Sequence, residues 1–474
     1  MQIISADRPE RLSSLDRQER LTPRQVFVIG VSAAAQMIDF LDFFLISFVL
    51  AFVARPWHLT VLQTTIVLLS SGIGAVLGSF ICGNLADRYG RRPMFLATIG
   101  LFSLCTGALA LTPEGSWTYL AVFRFFVGFG ATGMYSVNIP LLQEFMPINR
   151  RGWASGIVTT FIPVGVMVGS IVVAVFGATI GWRGLFVFGA LLGMGLLLVS
   201  WFVPESPVWL LNRKKAGEAR RSMAWALNVR DEAVDFGSSA GSIPERRARL
   251  SELFRYPRSV VVSWVGVLGA QVAYYGLTLW APVLLVLILN TTPSHAAFLL
   301  IFANIGDVCG RVIFANLSER AGRRLIGILQ GFVGATLLVT TALLAHQVLG
   351  DISVFWLLLI PTYFFVSGGF AVTVPYAAEI WPSHLRATGL GSAYGIGSLG
   401  KIIGPLGLGL LLGSSNVLSP TASLTSVVPA FVYLAAWILA TGIVFLAFAF
   451  ETRGKSLSEI ETELAGRPRD LAPT

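Results

Sequence analysis

Apolar residues in this chain fall in long, nearly unbroken runs between polar stretches, not in the amphipathic period of a soluble helix or the alternation of a half-buried strand. The runs recur from residue 26 to residue 450, and each approaches or exceeds the roughly 20 apolar residues a helix needs to cross a hydrocarbon core. They predict twelve spans. The first six cover 26–54, 60–85, 94–112, 117–146, 153–178 and 182–203. The second six cover 259–290, 295–317, 325–349, 352–381, 387–414 and 426–450. Backbone groups in lipid are satisfied only inside helices or closed barrels, and runs this uniformly apolar are helices. The fold class is an all-α membrane protein. The first run is too long, and lacks the small-residue cleavage site, to be a removable signal peptide.

The polar stretches set the organisation. The longest, 204–258, is basic and contains "GSSAGS" (237–242) and "PERRAR" (244–249). It divides the chain into an N-terminal tail (1–25), a six-helix bundle (26–203), a linker (204–258), a second bundle (259–450) and a C-terminal tail (451–474). Composition agrees: 55% of residues are hydrophobic and 12% charged, about half the charged share of a soluble domain. The net charge of +9 does not point to nucleic acid. If the spans alternate, 29 of the 34 Lys and Arg fall on one side, which is the positive-inside pattern and places both tails in the cytoplasm of an inner (plasma) membrane protein. Cys82, Cys105 and Cys309 lie within spans, and the four histidines are scattered at span ends, so neither a disulfide framework nor a metal site is expected.

The two bundles repeat. "GNLADRYGRR" (83–92) aligns with "ANLSERAGRR" (315–324), and "LLQEFMPINRRGWASG" (141–156) with "YAAEIWPSHLRATGLG" (376–391). Parallel six-helix repeats are the mark of a transporter that binds its cargo between two bundles near the midplane. Gly83, Asp87, Arg88, Gly90, Arg91 and Arg92 resemble the signature loop of the major facilitator superfamily, and the second copy carries Glu319, Arg320, Arg323 and Arg324. Together with Glu144, Arg151, Glu379 and Arg386, these residues are expected to form a cytoplasmic gate. In that reading Asp87 accepts from a neighbouring helix N-terminus and from nearby arginines; alternatively the arginines serve orientation alone. "VPESPVWLLNRKK" (203–215) and "FETRGKSLSEIE" (450–461) resemble the closing signatures of sugar porters and organic-ion carriers.

Candidate chemistry lies inside the spans. A carboxylate at the bilayer centre costs roughly 2.5–3.5 kcal/mol on insertion scales, so an ionisable group there is functional by default. Asp39 and Asp42 in "AQMIDFLDFFLISFV" (35–49) are three residues apart, so both can face one lumen, flanked by Gln36 and Phe43. Arg124 needs an anion, and the first-helix acids are its natural partners, for static packing or for proton coupling. On the second reading a substrate anion competes with an aspartate for Arg124 and favours proton uptake. Asp307 and Arg311 can pair on one helix face, with Arg311 otherwise free to snorkel towards the cytoplasmic end. Lys401 binds a substrate anion or pairs with Asp307. Gln271, Tyr274 and Tyr275 suit a pocket for a flat organic ligand, whereas Trp280 fits an interfacial belt.

The Asp-x-x-Asp of the first span, the Arg124 segment and "EIWPSHLRATGLG" together resemble the aromatic-acid–proton symporters and the related niacin and organic-ion carriers. That resemblance implies proton-linked roles for Asp39, Asp42 and Arg124 and uptake of a small organic anion by a monomer in alternating access. Two other readings share the fold: a sugar or polyol porter, and a drug–proton antiporter, against which Pro163 is not preceded by glycine. A non-transporting sensor would add a long cytoplasmic extension, and the tails are about 25 residues. No nucleophile elbow, phosphate-binding loop or metal cluster is present, so no enzyme, catalytic residue or cofactor is expected.

Overall fold

The computed structural model describes residues 18, 20–234, 250–382, 385–412, 426–453, 455 and 460. The "GSSAGS" and "PERRAR" stretches, His384 and most of both tails lie outside them. Helices follow the apolar runs closely. In the first half they are α1 (Pro23–Val53), α2 (Val61–Tyr89), α3 (Arg91–Leu109), α4 (Trp117–Glu144) and α5 (Ile148–Ser200). The linker carries two short helices, α6 (Pro207–Asn212) and α7 (Ala216–Leu227). The second half has α8 (Pro257–Ile288), α9 (Pro293–Ala321), α10 (Arg323–Leu343), α11 (Val354–Gly368), α12 (Phe370–Glu379), α13 (Arg386–Ser398), α14 (Gly400–Leu411) and α15 (Val427–Phe448).

Where polar residues start and stop these helices, the chemistry is local. Thr22 and Gln25 form a capping box at the start of α1, and Thr60 and Gln63 form another at α2. Proline occupies the first turn of α1, α8 and α9, where its missing N–H costs nothing. The predicted break between the fifth and sixth spans shrinks to one residue. Gly181 (φ 63°) interrupts α5, and the chain doubles back there. Gly165 lies against Met37 of α1 and Gly177 against Phe52, yet Gly189 returns to the level of Asp42. Conversely, the tenth span divides at Gly369 into α11 and α12, and the eleventh at Leu399 into α13 and α14. With these divisions, the described residues supply twelve membrane passes in two six-helix bundles.

Glycine sets the tightest seam. Added Cβ atoms on Gly74, Gly78 and Gly128 would run into the backbone of Phe125, Phe129 and Ser71, so α2 and α4 touch backbone to backbone. The linker is not inert either. Thr22 donates to the Ala226 carbonyl (2.5 Å) and Arg24 to that of Trp225 (3.0 Å), so α7 is strapped to the first bundle. Trp280, expected at an interface, is instead wholly buried, donating to the Pro405 carbonyl at 3.2 Å. A polar tip that finds a partner inside needs no headgroup layer.

Gly128→Leu forces overpacking at the α2–α4 seam, a cost of about 1–3 kcal/mol or more. Thermal unfolding of the purified protein in detergent should fall clearly below wild type, and an unchanged midpoint would contradict the seam.

Candidate functional site

Between the bundles lies a cavity of about 700 Å³. Its walls run from buried Asp39, Gln271, Tyr274 and Tyr275 to exposed Trp153, Asn316 and Glu319. The exposed end lies at the face carrying the basic loops, so the cavity opens there. Towards the opposite face it is closed by rings. Phe43 and Phe44 of α1 meet Tyr274 and Tyr275 of α8 at centroid distances of 5.6–6.1 Å. Beyond the rings, Asn304 of α9 donates to Ser170 of α5 (2.7 Å), and Arg55 reaches Asn290 at 3.5 Å.

The two acids of α1 do not share a lumen, contrary to the sequence expectation. Asp39 lines the cavity. Asp42, about 60° around the helix, turns into the seam between α1, α3 and α4, where it and Arg124 are both 0% exposed. Arg124 Nη1 lies 2.9 Å from Asp42 Oδ2 and also donates to the Asp42 carbonyl (3.1 Å). Nη2 donates to the Phe43 carbonyl (3.0 Å), and Thr106 donates to Asp42 Oδ1 (3.2 Å). Arg124 is therefore not among the cavity-lining residues, and a direct contact between it and substrate is not supported by this geometry. Gln36 is likewise buried away from the cavity, with both amide atoms unbonded among the described residues.

In the second bundle, Asp307 accepts from Arg311 Nε (3.2 Å), from the Tyr274 hydroxyl (3.2 Å) and from Ser367. Arg311 does not snorkel out of the membrane. Its guanidinium lies over Phe370 (5.1 Å) and Tyr274 (5.5 Å), facing the cavity. Lys401 does not meet Asp307. Its ammonium sits over the rings of Phe43 (5.2 Å), Tyr275 (5.4 Å) and Phe40 (6.0 Å) and lines the same cavity as Asp39. No hydrogen bond or ion pair to the side chain of Asp39 or Lys401 is made among the described residues; each acts on the other only through the field across the cavity. Tyr135 of α4 and Tyr394 of α13, which the sequence reading passed over, interact across the bundle boundary and line the same space. A tyrosine inside an apolar run carries no signal that separates packing from ligand contact.

The signature loops fold into two matching clusters, each inside its own bundle. Arg91 pairs with Glu144 (2.9 Å), and Arg323 pairs with Glu379. The acceptor at the α3 N-terminus is Glu205, not Asp87: the backbone N–H groups of Arg91 and Arg92 both donate to its Oε1 at 3.0 Å. Glu451 does the same for Arg323 (2.9 Å) and Arg324 (3.2 Å). Gly90 (φ 116°) and Gly322 (φ 101°) are needed at these corners, since a Cβ would strike the capping carboxylate. Arg92 and Arg324 close the repeat by donating to the Trp201 and Leu446 carbonyls, each at 2.8 Å. Asp87 is left 74% exposed, with Arg91 at 3.9 Å. Arg151 turns back to the Met146 carbonyl (3.1 Å), Glu319 sits at the cavity mouth, Arg320 is exposed, and nothing crowds Gly83. Arg386 is half-buried, its Nε unbonded among the described residues. Glu205 and Glu451 were legible only as parts of the closing motifs. Their signal was an acid at the same place after the last helix of each half.

Removing one member of the Asp42–Arg124 pair strands the other in a dry seam, a loss of about 3–5 kcal/mol. Arg124→Met should unfold at much lower temperature than wild type, and Asp42→Leu/Arg124→Met should recover most of the difference. A double variant no more stable than Arg124→Met would refute a matched structural pair.

Comparison with known proteins agrees with this architecture. Residues 32–363 match the model of the Major Facilitator Superfamily. The chain is 28% identical over 438 residues to the niacin transporter NiaP of Acinetobacter baylyi, covering 92% of this chain and 95% of that one. It is 24% identical over 392 residues to the cis,cis-muconate transport protein of the same organism, covering 81% and 86%. The solved inward open structure of the xylose transporter XylE from E. coli superposes with a TM-score of 0.66 at 18% identity, covering 93% of this chain and 99% of that one. Two repeated bundles around a central cavity, and a family match spanning more than half of the sequence, lead to one conclusion: this chain belongs to the Major Facilitator Superfamily, a membrane transporter and not an enzyme.

Proposed function

We propose that the protein takes up a small organic anion, an aromatic or related carboxylate, together with protons. The observation that carries this reading is the pair Asp39 and Lys401, one from each bundle, facing one cavity without a bonded partner. A carboxylate can dock on Lys401 without first breaking a salt bridge. The rings of Tyr275, Phe40 and Phe43 around the ammonium, and Gln271, Tyr135 and Tyr394 nearby, suit a flat ring with a polar substituent. Arg311 offers a second cationic contact whose charge Asp307 already offsets.

Asp39 supplies the proton site. It is the carboxylate that reaches cavity water, so it exchanges protons while Asp42 stays locked against Arg124 and positions α1. The cargo of relatives supports the substrate class, since niacin is a single-carboxylate aromatic acid. The distribution of Lys and Arg supports an inner-membrane orientation with the open face and both tails cytoplasmic. One chain encloses the whole cavity, which supports a monomeric working unit. Asp87, the Arg91–Glu144 and Arg323–Glu379 pairs and Glu319 then form the gate, apart here and brought together when the cytoplasmic side closes.

The test is uptake by proteoliposomes under an imposed pH gradient, comparing nicotinate, benzoate and xylose. The acids should accumulate and the sugar should not. Lys401→Met should weaken anion uptake about tenfold or more, the scale of a lost charged hydrogen bond. Xylose accumulation that rivals the acids, or full anion uptake by Lys401→Met, would refute this reading.

A further inference from the structure

Away from the helix ends, the described spans contain six side chains that carry a formal charge at neutral pH: Asp39, Asp42 and Asp307 against Arg124, Arg311 and Lys401. The charges sum to zero. Four are committed to two bonded pairs, one in each bundle: Asp42 with Arg124 at 2.9 Å and Asp307 with Arg311 at 3.2 Å. Neither pair crosses the boundary between bundles, so rocking one bundle against the other leaves both intact. Asp39 and Lys401 differ. They belong to opposite bundles and meet only across the cavity.

We propose that this single unbonded pair fixes the coupling ratio: one monoanion travels with one proton, and the core carries no net charge whether empty or loaded. The proposal rests on the anion-uptake reading and adds the charge class of the cargo and the electrical character of the cycle.

In the empty carrier, Asp39 and Lys401 cancel. An anion that enters and takes Lys401 removes the counter-charge of Asp39, and an unmatched ion is costly to carry once the cavity closes and water is shed. The groups that face Asp39 leave it no other remedy. On its own helix, Asp42 is held by Arg124 of α4. Tyr135 of α4, Tyr275 of α8 and Tyr394 of α13 are neutral phenols. Arg311 of α9 is already matched by Asp307, Glu319 lies out at the exposed mouth, and α5 presents no titratable side chain to the cavity. Asp39 therefore takes a proton from hydronium of the bulk solution: one O–H bond forms on the carboxylate as one breaks in hydronium, which leaves as water. A dianion would leave one charge unmatched after that proton. An uncharged sugar would leave Lys401 and Asp39 matched and give the proton no reason to bind.

The experiment uses the full chain in proteoliposomes, with nicotinate and benzoate as probes and the membrane potential set by potassium and valinomycin. Wild type should accumulate either acid down a pH gradient, admit one proton per anion and give no current on a substrate jump. A potential of about 100 mV should leave its accumulation unchanged, whereas one net charge moved per cycle would change it about 50-fold. Asp39→Asn reaches a neutral loaded state without a proton. Its uptake should ignore the pH gradient and follow the potential instead, by about 50-fold per 100 mV with the interior positive. Wild-type current that scales with uptake, or a second proton per anion, overturns the proposal. Absence of any gradient-driven uptake would instead overturn the anion-uptake reading beneath it. Should Asp39→Asn fail to reconstitute, the wild-type current and proton count decide the matter alone.

Discussion

An ion in hydrocarbon must be matched, and that requirement orders the centre of this protein. Each buried charge costs several kcal/mol to desolvate, and only close partners with good geometry repay it. Arg124 shows how tightly the match is made: its guanidinium bonds a carboxylate and two backbone carbonyls of α1, and Thr106 of α3 donates to the same carboxylate, so three helices of the first bundle meet at one level. Asp307, with Arg311, Tyr274 and Ser367 around it, does the same in the second bundle. Once those two clusters are closed, one acid and one base in the buried part of the cavity, Asp39 and Lys401, remain without a bonded partner among the described residues, and the proposed chemistry of transport is left to them.

The same division between rigid and movable interactions governs the ends of the helices. Glu205 and Glu451 cap α3 and α10 from the segments that follow the last helix of each half, so each bundle is tied to itself at the basic face. The bundles meet on the other side through the Phe43–Phe44–Tyr274–Tyr275 rings and the Asn304–Ser170 and Arg55–Asn290 hydrogen bonds. Along the cavity they meet through Tyr135 with Tyr394 and the close packing of α2 on α14, where Gly72 meets the Lys401 backbone and Gly409 meets Thr65. Ring contacts and neutral hydrogen bonds are each weaker than a buried ion pair, roughly 0.5–1.5 kcal/mol. A seam built from such contacts can part without disturbing the charged clusters.

Much of the fold was legible in the sequence because hydropathy and charge asymmetry report on the bilayer directly. The spans, the repeat and the equivalence of Glu144 with Glu379 needed no coordinates. The assignment of Asp42 did. Residues three apart on a helix differ by about 60°, enough to put one in a cavity wall and the next in an interhelical seam. Spacing alone cannot say where the neighbouring helix stops. For Lys401 only the pairing with Asp307 fell away: its neighbours are ring faces of α1 and α8, and aromatic residues are too common in these spans to identify a cation's cage. The position of Glu205 against the α3 N-terminus depends on how the linker turns back, which no local pattern encodes.

The central claim is that an anion and a proton occupy the cavity together because Asp39 loses its counter-charge when Lys401 is taken. It is tested most directly on the purified protein in weakly buffered detergent solution, by counting protons absorbed as nicotinate binds. Wild type should take up close to one proton per anion bound, and Asp39→Asn should bind the anion with no proton uptake. Anion binding to wild type without proton uptake, or unchanged uptake by Asp39→Asn, would contradict the account.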